Sequence, residues 1–167
     1  MVELNLHIRP AENNDYSGLL EIYKELDEYH QIEHPEIFER IQEENRSKEY
    51  ISYLVESKTS LLLVALIEDE IIGFAEGYIK ENSSFPVFKK REWFQLDNIA
   101  IKNKYQGEGF GRKLFQAIEH WATGQRLKRI ELNVYSFNQG ATRFYEQLGF
   151  HELCKSYFLT IDKNNAV

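Results

Sequence analysis

At 167 residues the chain is long enough for one domain with its own core and too short for two comfortable ones. Its formal net charge of −7 argues against a nucleic-acid binder, which needs a basic face to neutralise phosphates, and suits a cationic small molecule or peptide better. Cys154 is the one cysteine, so an intrachain disulfide and a cysteine-rich zinc site are both excluded.

The first ten residues, Met1 to Pro10, have neither the basic start nor the long apolar run of a secretory signal. No later run approaches the roughly 18 apolar residues of a membrane span. The expectation is a cytoplasmic protein of one domain, residues 1–167, with neither membrane nor nucleic acid as partner. Leu4, Leu6 and Ile8 alternate and Pro10 follows, which predicts a strand over Leu4 to Arg9. Asn13, Asn14 and Asp15 can cap a helix whose stripe is Leu19, Leu20, Tyr23 and Leu26. A second helical region is expected from Glu36 to Val55, through Ile37, Phe38, Ile41, Tyr50, Ile51 and Leu54, split in two near Asn45 to Ser47. Ser60 to Ile67 and Ile71 to Ile79 are apolar runs around Glu68-Asp69-Glu70 and read as an antiparallel hairpin.

A polar loop with Ser83, Ser84 and Pro86 leads to a strand over Trp93 to Ile101. After a glycine-rich turn, Leu114, Phe115, Ile118 and Trp121 are spaced for one buried helix face, stopped at Gly124. Ile130 to Val134 reads as a short strand. The segment after Asn138 reads as a helix with Ala141, Phe144, Tyr145 and Leu148 inward, closed by Gly149 as a left-handed cap. Phe150 to Ile161 is the last expected strand. Strands in runs with helices between them describe an α+β domain with a mixed sheet.

The glycine-rich turn, Gln106-Gly107-Glu108-Gly109-Phe110-Gly111-Arg112, lies between a strand and a helix N-terminus. Glycine permits positive φ and lets a ligand approach the main chain closely. The unbonded N–H groups of a helix's first turn, with the helix dipole, make an anion site, and Arg112 adds a cation. A diphosphate-bearing ligand fits that chemistry, although a turn needing glycine only for its geometry fits the spacing too. A P-loop would end in Gly-Lys-Ser/Thr, whereas this turn ends in Gly-Arg-Lys. A dinucleotide-binding fingerprint is G-x-G-x-x-G near the first strand, whereas this turn is G-x-G-x-G and comes late.

Leu96-Asp97-Asn98-Ile99-Ala100-Ile101 followed by Tyr105 to Gly111 resembles the fourth strand and acetyl-CoA loop, Arg/Gln-x-x-Gly-x-Gly/Ala, of the GNAT superfamily of N-acetyltransferases. Asn138 to Phe150 resembles that family's second signature, Asn-x-x-Ala-x-x-Phe/Leu-Tyr-x-x-x-Gly-Phe. The resemblance runs from Leu6 to Ile161 in element order and is close from Leu96 to Phe150. It implies a GNAT-like α+β fold (an α/β sandwich): a mixed, mostly antiparallel sheet of about six to seven strands flanked by helices and splayed between the fourth and fifth. It also implies that acetyl-CoA is the co-substrate. Ile99, Ala100 and Ile101 would meet the pantetheine arm, chiefly through the backbone of Ile99 and Ile101. The backbone of Gln106, Gly107, Glu108, Gly109, Phe110, Gly111 and Arg112 would hold the pyrophosphate. Asn138 would hydrogen-bond the pantetheine or thioester end, with Ala141 and Phe144 packed along the cofactor.

For direct attack by an amine, the resemblance makes Tyr145 the acid at the departing sulfur and Asp97 the base, with Glu76 in reserve. Some relatives carry a glutamate on the fifth strand where this chain has Asn133, so a base from that strand is not expected. Cys154 lies in a strand-like run without a His or Asp in register and reads as a small buried residue. His30 and His34 have i, i+4 spacing, but Pro35 follows and no third ligand is apparent, so no metal is expected. In this family the acidic helical region forms a wall of the acceptor cleft, which makes Asp27, His30 and His34 acceptor-side candidates, although a solvated helix face fits the same residues. Glu76 on the hairpin and Tyr157 on the last expected strand join them as candidates for that cleft. The acceptor expected is a small cationic amine such as a polyamine or aminoglycoside. A protein N-terminus or lysine is the alternative, and a silent CoA-binding regulatory domain the alternative of another class. Dimers are frequent among relatives, so a homodimer is a further expectation.

Overall fold

The computed structural model of the chain describes residues 5–40 and 44–161. β1 (Leu6–Pro10), β2 (Ser60–Ile67), β3 (Glu70–Glu81), β4 (Glu92–Ile101) and β5 (Ile130–Leu132) form one sheet in that spatial order. Each neighbour pair from β1 to β4 is antiparallel, and β5 alone runs parallel to β4. Every residue of β2 is buried, which explains why Leu61 to Ile67 is apolar without polar alternation: both of its faces are covered. Leu62, Val64 and Leu66 pack with Leu19, Ile22 and Tyr23 of α1 (Tyr16–Glu33) and with Ile51 and Leu54 of α2 (Lys48–Glu56). Strand alternation turns Leu61, Leu63 and Ala65 to the opposite face. There α3 (Phe110–Gly124) buries Leu114, Phe115 and Ile118 against the sheet.

The helix boundaries follow local chemistry. Asp15 accepts from the N–H of Glu12 and forms a two-point ion pair with Arg9 at 2.7 and 2.8 Å, fixing the start of α1 against β1. Ser47 caps α2 by accepting from the N–H of Tyr50. α3 ends as the glycine suggests, but the left-handed residue is Arg126 (φ 62), two positions beyond Gly124. The N–H of Leu127 reaches back to the carbonyl of Ala122 and closes that last turn.

The chain divides into two compact units, residues 1–133 and 134–167. In the second, α4 (Gln139–Gln147) starts at Asn138, whose side chain accepts from the N–H of Ala141, and ends at left-handed Gly149 (φ 92).

Four expectations are corrected. The described sheet has five strands rather than six or seven. Phe150 to Ile161 is not a strand, and residues 151–161 are exposed and irregular; β-prone sequence becomes a strand only where a ladder partner accepts it, and the unit 134–161 contains no other strand. Cys154, on that segment, is exposed rather than buried. Residues 36–40 are not helical, because Pro35 and the non-helical backbone of His34 (φ −138, ψ 67) end α1 in a turn. Leu4, expected in the first strand, and Ile41, expected in the second helical region, lie outside the described residues.

Candidate active site

β4 hands the chain through Lys102 to a 3-10 turn, Asn103–Tyr105, and then to the glycine turn that opens α3. Gly107 (φ 85) and Gly109 (φ 81) are left-handed, a region that non-glycine residues enter at a cost. A Cβ built at either glycine would meet nothing within 4 Å. It is therefore φ that demands glycine there, and the turn faces open space. Gly109 is the N-cap of α3, so the N–H groups of Phe110, Gly111 and Arg112 have no carbonyl a turn earlier within the helix to bond. The buried ring of Phe110 anchors this first turn. The Gln106 side chain donates to the carbonyl of Ile101 (2.8 Å) and to Asn103 (3.2 Å), tying the turn back to the end of β4. The donor set is an outward-facing row of backbone N–H groups with Arg112 exposed beside it, which fits a pyrophosphate.

Asp97 stands at two irregularities of the sheet. Gly77 pairs with Leu96 and Glu76 with Asn98, so Asp97 is the extra residue of a β-bulge. On the other side, β5 pairs only with Phe94, Gln95 and Leu96. From Asp97 to Ile101 the outer edge of β4 is left without a β5 partner, which is the splay expected between the fourth and fifth strands. Ile99, Ala100 and Ile101 pair with Ala75, Phe74 and Gly73 on the inner side, so their outer edge can take an extended ligand as another strand. Asp97 is solvent-accessible, yet its surroundings desolvate the carboxyl enough to raise its pKa, with Lys80 pulling weakly the other way.

Beside the bulge lies a buried polar cluster. Glu76, only 2% exposed, accepts from the hydroxyl of Tyr23, from Asn98 at 2.5 Å and from Tyr50 at 3.3 Å. The Arg46 guanidinium sits 4.5 Å from the Tyr23 ring centroid and pairs with Asp27 at 3.0 Å. Burial pushes the Glu76 carboxyl up, against the opposing pull of Tyr23, Asn98 and Arg46, and burial likewise raises the Tyr23 and Tyr50 phenols. Glu76→Ala leaves Tyr23 and Asn98 without their acceptor, each loss costing about 1–3 kcal/mol. A destabilisation of about 3 kcal/mol is expected in urea unfolding. The sign with pH is also fixed. A carboxyl whose folded pKa exceeds its unfolded value favours folding while protonated, and that contribution fades as pH rises through the raised pKa. Glu76→Gln should remove this decline at pH values above the ordinary glutamate range.

The other acceptor-side candidates are placed as follows. Asp27 is committed to Arg46 and to Asn45 (2.7 Å). His30 bonds the carbonyl of Leu26 through Nδ1 and packs against Phe38, while His34 bonds Glu36. Among the described residues no group of three or more His, Cys, Asp or Glu side chains could hold a metal, and no helix is long and apolar enough to cross a membrane.

Within the second unit, Tyr145 lies edge-on to Phe150 (5.6 Å between centroids) and next to Phe144 (5.5 Å). Burial raises its phenol to about 12. Asn138 spends its Oδ1 on the helix cap, so its amide donors are what it can offer a ligand. Ala141 and Phe144 are half-buried on α4, and Tyr157 is exposed.

Arg46, Tyr50 and Asn98 were not among the site residues expected from sequence, nor were Glu70, Lys102 and Tyr105 beneath the glycine turn, although Tyr50, Asn98, Glu70 and Tyr105 lie in segments read there for other reasons. Arg46 and Lys102 carry no local signal. Asn98 had one, since it follows Asp97 on a strand whose neighbours are otherwise apolar.

The model of the acetyltransferase (GNAT) family matches residues 19–150. A spermine/spermidine N(1)-acetyltransferase of Bacillus subtilis (strain 168) is 35% identical over 89 residues, covering 50% of this chain and 54% of that protein. The chain thus spans about half the length of that curated relative. A thialysine N-epsilon-acetyltransferase of Bos taurus is 25% identical over 153 residues, covering 89% of this chain and 86% of its own. Among solved structures, a tetramutant of the BH1408 protein from Bacillus halodurans superposes with a TM-score of 0.87 at 27% identity, covering 93% of this chain and 99% of that one.

Proposed function

This chain belongs to the acetyltransferase (GNAT) family, and from that premise we propose that it moves the acetyl group of acetyl-CoA to the primary amine of a small cationic acceptor. The observation that carries the reading is the left-handed glycine turn at the head of α3, which continues directly from the uncovered edge of β4. Backbone N–H groups of the turn would take the pyrophosphate. The edge from Ile99 to Ile101 would take the pantetheine arm and deliver the thioester beside Asp97. Asp97 takes a proton from the entering ammonium, directly or through water, and the neutral nitrogen attacks the thioester carbonyl. The C–S bond breaks, the leaving thiolate takes the proton of Tyr145, and the proton that the nitrogen sheds on forming the amide returns through water to the phenolate.

Asp97 suits the base role better than Glu76. Both Glu76 oxygens are already held, by Tyr23 and Asn98, whereas Asp97 is solvent-accessible at a bulge and has a raised pKa. Glu76, with Arg46 and Tyr23, would instead shape the floor under the amine. Asp27, being spent on Arg46, is a weaker partner for a cation than its sequence position suggests. Small amines are favoured as acceptors by relatives named for spermine and spermidine, L-ornithine and thialysine. A protein N-terminus or lysine is the second reading within the class.

Release of free CoA thiol over a panel of polyamines, diamino acids, aminoglycosides and N-terminal peptides tests the proposal, with turnover expected on the small amines. Thermal stabilisation by acetyl-CoA without turnover on any amine would instead mark a silent regulatory domain. Tyr145→Phe should lower kcat about 10- to 100-fold while leaving CoA affinity nearly intact. With a pKa near 12, the phenol stays protonated across the assay range and adds no alkaline limb of its own. Unchanged kcat would remove Tyr145 from the mechanism.

A further inference from the structure

The glycine turn does not hold its position alone. Glu70, at the start of β3, accepts from Lys102 (3.1 Å) and from the Tyr105 hydroxyl (2.7 Å), and pairs with Lys104 at 2.9 Å. Lys102 is buried and also donates to Glu21 of α1 at 2.7 Å. One turn further along α1, Glu25 accepts from the backbone N–H of Asn103 at 2.9 Å. Two separate elements, the β2–β3 hairpin and α1, therefore grip the four residues immediately before Gln106. Tyr105 passes the restraint on, its ring edge-on to that of Phe110, the first residue of α3.

Nothing in the chemistry of the Glu68–Glu70 turn requires this arrangement. A hairpin closes equally well on a Gln or Thr at position 70, because the strand pairing of Glu70 with Ile67 is made by the backbone. The carboxylate is what gathers two ammonium groups and a phenol, and those three donors hold it down to about 2, so the clamp persists throughout the neutral and mildly acidic range. A pyrophosphate site depends on several N–H groups pointing at once to the same place, and a shift of about 1 Å in the supporting segment is enough to weaken such a site.

We propose that Glu70 is a positioning residue for cofactor binding: by holding Lys102, Lys104 and Tyr105 it fixes the glycine turn in the conformation that receives the pyrophosphate. The inference rests on the acetyl-CoA reading of that turn. It touches no reacting atom, so its signature is confined to ligands that carry a pyrophosphate.

The experiment compares wild type, Glu70→Ala, Glu70→Gln and Tyr105→Phe with acetyl-CoA and with S-acetylpantetheine, which lacks the pyrophosphate, and measures CoA binding separately by calorimetry. Glu70→Ala should raise the KM for acetyl-CoA and the Kd for CoA about 10-fold, with kcat and the amine KM within twofold and with kcat/KM for S-acetylpantetheine unchanged. Tyr105→Phe should produce a smaller rise of the same kind, and Glu70→Gln, which keeps an acceptor for Tyr105, a partial rescue relative to Glu70→Ala. An equal loss on both thioesters, or an unchanged Kd for CoA, would overturn the inference. So would tighter CoA binding by Glu70→Ala, which would mean that Glu70 merely cancels the two lysine charges. If wild type binds no CoA, the reading of the turn itself fails. If wild type binds CoA and the variants bind it equally well, only the role of Glu70 fails.

Discussion

Gly109→Val should abolish useful CoA binding, raising Kd at least about 100-fold, while the protein still folds. Gly109 is left-handed at φ 81 and caps α3, and a β-branched residue there costs about 1–3 kcal/mol of strain. The surroundings add no clash, since a Cβ meets nothing within 4 Å. The chain relieves the strain by turning the peptide before Phe110, which tilts the N–H groups of the first helical turn away from their common target. Two misdirected bonds to a charged ligand, each worth about 1.5–3 kcal/mol, account for a loss of that size. Gly109→Ala, less restricted, should fall about 10-fold. A thermal scan separates the effects: the melting temperature drops by a few degrees, whereas calorimetry with CoA shows no measurable heat. Retained micromolar affinity in Gly109→Val would refute the pyrophosphate site.

That prediction was accessible from the sequence because glycine reports backbone conformation directly. The alternating trio at 107, 109 and 111 resolves into two left-handed residues that shape the turn and a third inside the first turn of α3. The helical stripes and the hairpin were legible for a similar reason: Leu19, Tyr23, Leu114 and Ile118 repeat with the helix period and are buried where that period puts them. Two kinds of feature were not legible. Phe150 to Ile161 has the composition of a strand, but composition does not supply a pairing partner, and residues 151–161 stand exposed. The Glu76 cluster and the Glu70 clamp join residues more than 20 positions apart, Tyr23 to Glu76, Tyr50 to Glu76 and Glu70 to Lys102. A charge on a helix or at a hairpin turn looks the same in sequence whether it faces water or an ion pair. Asp27 illustrates the cost: its place among acidic residues suggests a cation site, and Arg46, 19 positions away, already occupies it.

Asp97→Asn should lower kcat/KM for the amine about 100-fold near neutral pH, with the KM for acetyl-CoA unchanged. The substitution preserves size, and the bulge that presents position 97 is set by the register of Gly77 with Leu96 and Glu76 with Asn98, so the backbone should survive it. The pH profile distinguishes a base from a mere counter-charge. Desolvation raises the Asp97 pKa above its ordinary value of 3.8, so wild-type kcat/KM should climb through an acid limb displaced upward from that value, as the carboxylate forms. The variant should lack this limb. An amine also loses its proton to bulk water once the pH nears its own pKa, and above that point it no longer needs a protein group to take the proton as it enters. The deficit of Asp97→Asn should therefore be largest around pH 7 and shrink toward pH 10, whereas the loss of a charge that only held the ammonium would appear as a raised amine KM and widen as the cation predominates at lower pH. Activity within twofold of wild type from pH 6 to pH 9 would assign the proton to water alone and leave Asp97 as a residue of the bulge.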